Sequence, residues 1–99
     1  MNSTRLDSLQ EFKKAVLSAD LESSTAFRSL LNQAQGLLEM NDREIGDALR
    51  VSRPTVNRWM RGRSLPHRAL RKPIAEWVLQ QLALKIKRLE AMRAPALVA

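Results

Sequence analysis

The chain has 99 residues, no cysteine, one histidine and a formal net charge of +7. Its length predicts one small domain with a modest core, and the absence of cysteine excludes disulfides and thiolate metal sites. No apolar run approaches the ~18 residues of a membrane-spanning helix, and the N-terminus lacks the apolar core of a signal peptide. We therefore expect a cytoplasmic protein with no membrane partner, no metal and no cofactor.

Charge is divided unevenly along the chain. Residues 1–51 carry six Lys/Arg and eight Asp/Glu, whereas residues 52–99 carry eleven Lys/Arg and two Asp/Glu. Between Arg53 and Lys72 there are seven basic residues and no acidic one. A segment of one sign is typical of proteins that bind a polyanion, either nucleic acid or an anionic membrane surface.

Three glycines, four aromatic residues and few β-branched residues favour an all-α fold. A first helix is predicted over residues 5–18. Its apolar face consists of Leu6, Leu9, Val16 and Leu17, with Phe12 at the edge.

A second helix has the clearest apolar periodicity in the chain. Ser23 or Ser24 is expected to cap it, and it is predicted to run to about Met40. Its apolar residues recur at intervals of three and four, which places them on one helix face. They are Phe27, Leu30, Leu31, Ala34, Leu37 and Leu38.

Two short helices are predicted next. Asn41 and Glu44 form a capping pattern at the start of a helix of about eight residues. Ser52 is a suitable N-cap for the following helix, and Pro54 falls in its first turn, where no intrahelical hydrogen bond is lost. Gly62 is expected to end this helix in the left-handed conformation. Near the first of the two helices, the acidic residues are expected to cap and to be solvated: Asp42, Glu44 and Asp47.

The remaining chain predicts a short helical turn followed by a long helix over residues 73–92 that Pro73 opens, with a frayed tail over residues 93–99. The long helix has two apolar faces. The broader face consists of Ala75, Val78, Leu79, Leu82, Ile86 and Leu89, and the narrower of Trp77, Leu84 and Ala91. A small core uses only one face fully, so we expect the narrower face, or the N-terminal helix, to form a homodimer.

Two short helices joined by a three-residue turn are typical of the helix-turn-helix unit. Such a pair needs a small residue on the inner face of its first helix, which Gly46 supplies, and an apolar residue in the turn, which is Val51. The second helix must bury one side, and Val56 and Trp59 are suited to this. Its other side carries Asn57, Arg58 and Arg61.

The segment EIGDALRVSRPTVNRWMRG, followed by RSLP, resembles the Cro and phage-repressor type of helix-turn-helix DNA-binding domain. The matching residues are Gly46, Leu49, Val51, Ser52, Val56, Trp59, Gly62 and Pro66. The resemblance implies a five- or six-helix, repressor-like single domain over residues 1–99, with a core over about residues 24–72, an extra N-terminal helix and a long C-terminal helix. Arg50 departs from the family pattern, which has glycine or another residue that tolerates the left-handed conformation in the turn.

The resemblance also implies that residues 53–61 form a recognition helix in the major groove of double-stranded DNA. The expected base contacts come from Arg53, Pro54, Thr55, Asn57 and Arg58. The expected phosphate contacts come from Asn41, Ser52, Arg61, Arg63 and Ser64. Weaker phosphate candidates are Arg43, His67, Arg68, Arg71 and Lys72.

The expected function is therefore that of a bacterial or phage transcription regulator that binds DNA as a homodimer, on half-sites about 34 Å apart. It would be associated with the nucleoid when bound. Activation and repression both stay open, as does a further partner such as RNA polymerase or a second protein. The alternative is an antitoxin that binds a toxin and represses its own operon. No nucleophile–base pair has catalytic spacing, so an enzyme is not expected.

Overall fold

The computed structural model describes residues 2–93, and these form five α-helices and no strand. The helices are α1 (Asn2–Leu17), α2 (Ser24–Leu38), α3 (Asp42–Leu49), α4 (Arg53–Met60) and α5 (Arg68–Arg93). The predicted all-α class is confirmed. The predicted tail lies outside the described residues from position 94 onward.

Side-chain caps set the starts of α2, α3 and α4, as predicted. The Ser23 hydroxyl accepts a hydrogen bond from the Ala26 N–H at 3.2 Å. Asn41 and Glu44 form a complete capping box, in which each side chain accepts from the other residue's N–H, at 2.8 and 3.0 Å. Ser52 caps α4. These bonds satisfy N–H groups that a helix start otherwise leaves without a partner.

Left-handed residues end two helices and follow a third. Glu39 (φ 56°) ends α2, so that its last residue, Leu38, lies two positions before the predicted end, and Arg50 (φ 61°) ends α3. Gly62 (φ 72°) follows α4, as predicted. Arg50 therefore adopts a left-handed conformation, which costs a side chain with a Cβ roughly 1 kcal/mol.

The prediction that Pro73 opens the last helix is wrong. Helix α5 is continuous from Arg68 to Arg93, and Pro73 lies inside it. The helix begins earlier because His67 caps it: the His67 Nδ1 accepts from the Ala69 N–H at 3.1 Å. Proline in this position removes one helical hydrogen bond, whose usual acceptor would be the Ala69 carbonyl. The rule that proline marks a helix start was therefore misleading here.

Two adjoining apolar clusters hold the helices together, and α2 and α5 belong to both. The first packs α1 against α2 and α5, with Leu9, Val78 and Leu82 completely buried. Leu17, predicted to face this cluster, is 65% exposed, because the buried face of α1 centres between Leu9 and Val16 and includes Phe12. The second cluster packs α3 and α4 against α2 and α5, and consists of Phe27, Leu31, Ile45, Val56, Trp59 and Ile74.

Arg71 fixes the start of α2 to α5. Its side chain is buried, and its Nη1 donates to the carbonyls of Leu21 and Glu22 at 2.9 and 3.2 Å. Its Nε donates to the Pro66 carbonyl at 3.3 Å, and the guanidinium lies over the Phe27 ring. Arg71 was a weaker phosphate candidate, and this is corrected: its donors are used inside the protein.

Lys85 fixes the other end of α2. Its Nζ donates to the Leu37 carbonyl at 2.6 Å and to the Glu39 carboxylate at 2.8 Å. Glu39 also pairs with Arg5 of α1. Hydrogen bonds from Lys85, and the positive charges of Lys85 and Arg5, lower the pKa of Glu39. A cation at a helix C-terminus also interacts favourably with the unpaired carbonyls there.

Arg71→Met should lower the free energy of unfolding by about 2 kcal/mol or more, because the buried carbonyls lose a charged donor while the apolar volume is largely kept. Denaturant unfolding followed by tryptophan fluorescence measures this. Lys72→Met, at the neighbouring exposed position, is the control and should change stability by less than about 0.5 kcal/mol. Equal effects of the two substitutions would contradict the role of Arg71.

Gly46→Ala should lower the free energy of unfolding by about 1–3 kcal/mol, because the interior there has no room for a methyl group. A Cβ at Gly46 would lie 2.7 Å from the carbonyl oxygen of Val51. The matched control is Gly36→Ala in α2, where a Cβ would meet nothing within 4 Å. Alanine at this second position should instead raise stability by about 0.5–1 kcal/mol. A Gly46→Ala variant as stable as the parent would show that α3 and the turn are not in close contact.

Candidate nucleic-acid interface

The turn between α3 and α4 determines how α4 is presented. The N–H groups of Arg50 and Val51 both bond to the Gly46 carbonyl, the second at 2.9 Å. Gly46 is buried, and its missing side chain lets the turn lie directly on α3. Val56 and Trp59 then bury the inner side of α4 in the second cluster. The opposite side of α4 is left at the surface.

The residues predicted to contact bases are not equally accessible. Arg53, Pro54 and Arg58 are exposed, whereas Thr55 and Asn57 are half-buried. The Thr55 hydroxyl lies 2.7 Å from that of Ser52 and accepts from the Arg58 Nη2 at 3.3 Å. Thr55 therefore contributes to the helix cap and orients Arg58.

Asp42 connects three helices beneath this surface. Its Oδ1 accepts from Gln35 of α2 at 2.7 Å, and its Oδ2 accepts from Asn57 of α4 at 3.0 Å. These two bonds lower the pKa of Asp42, and the charges of Arg53 and Arg61 contribute to the same shift. Asp42 was expected only to cap and to be solvated. No local pattern predicts this bridge, because the partners of Asp42 are 7 and 15 residues away.

The bridge restricts what Asn57 can do. One N–H of its amide is used by Asp42, so its carbonyl oxygen and second N–H remain for an outside partner. An asparagine that contacts adenine needs one donor and one acceptor. The predicted base contact by Asn57 is compatible with the bridge, in one fixed orientation of the amide.

The starts of α3 and α4 lie side by side. Gln35, Asn41, Asp42, Arg43 and Arg53 line an open groove of about 400 Å³. Asn41, predicted to contact phosphate, and Arg53, predicted to contact a base, are thus brought together. Gln35 was not among the predicted residues, because it lies on the polar side of α2 with no motif around it.

A second groove lies at the other end of α4. It is lined by Ser24, Thr25, Arg28, Gly62, Ser64, Leu65 and Arg71. A Cβ on Gly62 would lie 2.6 Å from the Arg28 Nη1, so this guanidinium lies directly beside the turn that follows α4. Arg61, Arg63 and Ser64 are exposed around it. Arg28 is a cation that the sequence did not predict here, since it is more than thirty positions away in the chain.

Ion pairs involve only some of the cations of the described residues. Within the described residues, the paired cations are Arg5, Arg43, Arg68 and Lys85. The Arg43–Asp47 and Arg68–Glu22 pairs are long and exposed, at 4.0 and 3.8 Å. Such pairs contribute little and exchange easily. In the same part of the chain, no ion pair involves the arginines of α4 and the following turn: Arg53, Arg58, Arg61 and Arg63.

The narrow apolar face of α5, predicted to form a dimer, is divided. Trp77 is half-buried and packs against both clusters. Leu84 is 49% exposed, and Ala91 is exposed as well. Trp77 thus contributes mainly to the core of its own chain, whereas the other two side chains are free to contact a partner.

Profiles of known protein families, curated proteins and solved structures give no match to this chain. Among residues 2–93, no group of three His, Asp or Glu side chains could hold a metal ion. No helix in that range is long and apolar enough to cross a membrane. Function must therefore be inferred from the surface around α4.

Asp42→Ala should lower the free energy of unfolding by about 1–2 kcal/mol at pH 7, because Gln35 and Asn57 lose a charged acceptor. Asp47→Ala, on the exposed side of α3, is the control and should have an effect below about 0.5 kcal/mol.

The effect of Asp42→Ala should also depend on pH. Because the pKa is lowered in the folded state, the carboxylate stabilises the fold fully above about pH 4, and this contribution is lost as the pH falls through the folded pKa. The stability difference between the parent and Asp42→Ala should therefore shrink below about pH 4. A difference that stays constant down to about pH 2 would contradict the charged bridge.

Proposed function

We propose that this chain is a sequence-specific transcription regulator of bacterial or phage type, and that α4 enters the major groove of double-stranded DNA. One observation carries the proposal: four arginines without ion pairs lie on and just after a short helix whose other side is fixed in the core. Unpaired cations on one surface attract a polyanion, because they release its counterions on binding.

The exposure of each side chain supports a division of roles. Arg53 and Arg58 are assigned to base edges, where a guanidinium can donate two hydrogen bonds to guanine. Pro54 is assigned to a thymine methyl group. Thr55 and Asn57 are held by intramolecular hydrogen bonds, so their contribution to base contacts is the smaller one.

The phosphate contacts are assigned to both ends of α4. Asn41 and Ser52 lie at one end, next to the first groove, and Arg61, Arg63 and Ser64 lie at the other. Arg28 joins the second group because of its place beside Gly62. Contacts on both sides of a recognition helix fix its position and orientation on the duplex.

A single short helix contacts only a few base pairs. Domains of this kind gain affinity and specificity when two copies bind half-sites about 34 Å apart. We therefore propose that the regulator acts as a homodimer.

Selection of binding sites from random double-stranded DNA is the first test, and the proposal requires that one sequence is enriched. On that sequence, Arg58→Ala should weaken binding by about 5- to 150-fold and relax the preference at one or two positions. Arg63→Ala should weaken binding to all sequences alike. It should also lower the slope of log affinity against log salt concentration by about one, which corresponds to one lost phosphate contact. Fluorescence anisotropy over a range of salt concentrations measures both effects.

The control for this experiment is Lys14→Ala, which removes an exposed charge from α1 on the far side of the core. It should leave affinity and sequence preference unchanged. If Arg58→Ala behaved like Lys14→Ala, α4 would not be the recognition helix. If selection enriched no sequence at all, the proposed function would be wrong.

A further inference from the structure

Helix α5 carries an apolar residue at every seventh position along one line of the helix, and of these only Trp77 packs against the two clusters. These residues are Leu70, Trp77, Leu84 and Ala91, and they form what we call the α5 seam. Leu70 and Leu84 are 46% and 49% exposed. A seven-residue spacing keeps such residues in line along a helix, here over about 32 Å, and this is the repeat with which helices pair.

The N-terminal end of the seam opens into an apolar groove. Leu70 forms part of its lining, together with Leu49, Val51, Trp59, Pro73 and Ile74. Leu49 and Val51 belong to the end of α3 and to the turn, and both are half-buried. Exposed apolar surface next to a helix seam is typical of a protein interface.

The other end of the seam carries a large, exposed apolar side chain. Met92 is 71% exposed, the highest value among the large exposed apolar residues of the described chain. Methionine is flexible and fills irregular apolar grooves well. It cannot reach the groove of its own chain, because about 33 Å of continuous helix separates it from Leu70. A second copy can bring its own Met92 there.

We propose that two copies of this chain pair antiparallel along the α5 seam, which names the surface that makes the proposed regulator a dimer. Leu70 of one copy then faces Ala91 of the other, and Trp77 faces Leu84. Each of these two facing pairs combines a larger side chain with a smaller one, which suits close packing. Met92 of each copy covers the groove of the other at Leu70.

The charges beside the seam favour the antiparallel orientation. Glu76, Lys87 and Arg88 are exposed on α5. An antiparallel pair brings Glu76 of one copy within about a helical turn of Lys87 and Arg88 of the other. A parallel pair would instead place Glu76 against Glu76 and Arg88 against Arg88, and like charges at such positions are unfavourable.

The centre of the seam is polar. Gln80 and Gln81 lie at the two-fold axis of the antiparallel pair, where Gln80 of one copy faces Gln81 of the other. Amide side chains at this point can exchange hydrogen bonds across the axis, and polar residues within a seam fix its register. By contrast, α1 has a single large exposed apolar residue among its described side chains, Leu17, and no seam.

Because the chain has no cysteine, single introduced cysteines report proximity without background. The variants are Gln81→Cys, Leu70→Cys, Ala91→Cys and, as the control on α1, Leu17→Cys. With a short bismaleimide and no DNA, we expect Gln81→Cys to cross-link to itself. Leu70→Cys and Ala91→Cys should cross-link only when the two chains are mixed, with one carrying a mass tag.

Three outcomes overturn the pairing. Self-cross-linking of both Leu70→Cys and Ala91→Cys would indicate parallel helices. Efficient cross-linking of Leu17→Cys would place the dimer contact on α1. A monomer in sedimentation equilibrium at micromolar concentration, with no cross-linked product, would exclude the dimer.

Substitution and rescue provide an independent measurement. Leu70→Lys should weaken dimerisation at least tenfold in sedimentation equilibrium, because it adds a positive charge opposite a basic stretch. Ala91→Glu in the same chain should restore it, since each lysine then faces a glutamate. Thermal unfolding checks that both variants fold. Failure of the rescue would overturn the register.

These measurements need no DNA, so they are independent of the proposed function. A dimer that enriches no DNA sequence would refute the proposed DNA binding but not the pairing. A monomer that binds a specific sequence would refute the pairing and the proposed homodimer but not the DNA binding.

Discussion

The close approach of the turn to Gly46 is the constraint on which the rest of the α4 surface depends. The backbone of Val51 occupies the place where a side chain would otherwise stand, so the angle between α3 and α4 is set by backbone contact and not by flexible side chains. Asp42 then connects the same two helices to α2. The outer side of α4 is thereby held at a fixed orientation to the core, which the proposed contact with base edges would require.

The basic residues of the chain have two separate tasks. Arg71 and Lys85 fix the two ends of α2 to α5 through backbone carbonyls, and Lys85 also pairs with Glu39. Arg53, Arg58, Arg61 and Arg63 have no such partner among the described residues. The net positive charge of the second half of the chain is therefore larger than the positive charge that an outside polyanion would contact. The charge that is available to a polyanion is concentrated on one surface.

Features that depend on neighbouring residues could be predicted from the sequence. The caps at Ser23, Asn41 and Ser52 follow from side chains that bond within three residues, and Gly46 was identified from the close packing that a helix pair needs. The start of α5 was predicted at Pro73 because proline is common in the first turn of a helix, whereas the helix begins earlier, where His67 caps it. The roles of Asp42, Arg71 and Arg28 depend on contacts between distant parts of the chain, which no local pattern encodes.

The absence of intramolecular ion pairs at the α4 arginines has a consequence for how such a protein can change during evolution. Replacing one of these side chains breaks no ion pair in the described structure, so the stability of the fold places little restriction on their identity. Arg71 is buried under several carbonyls and cannot vary in the same way. Duplicated copies of this chain could therefore diverge in what they recognise while their scaffold stays the same.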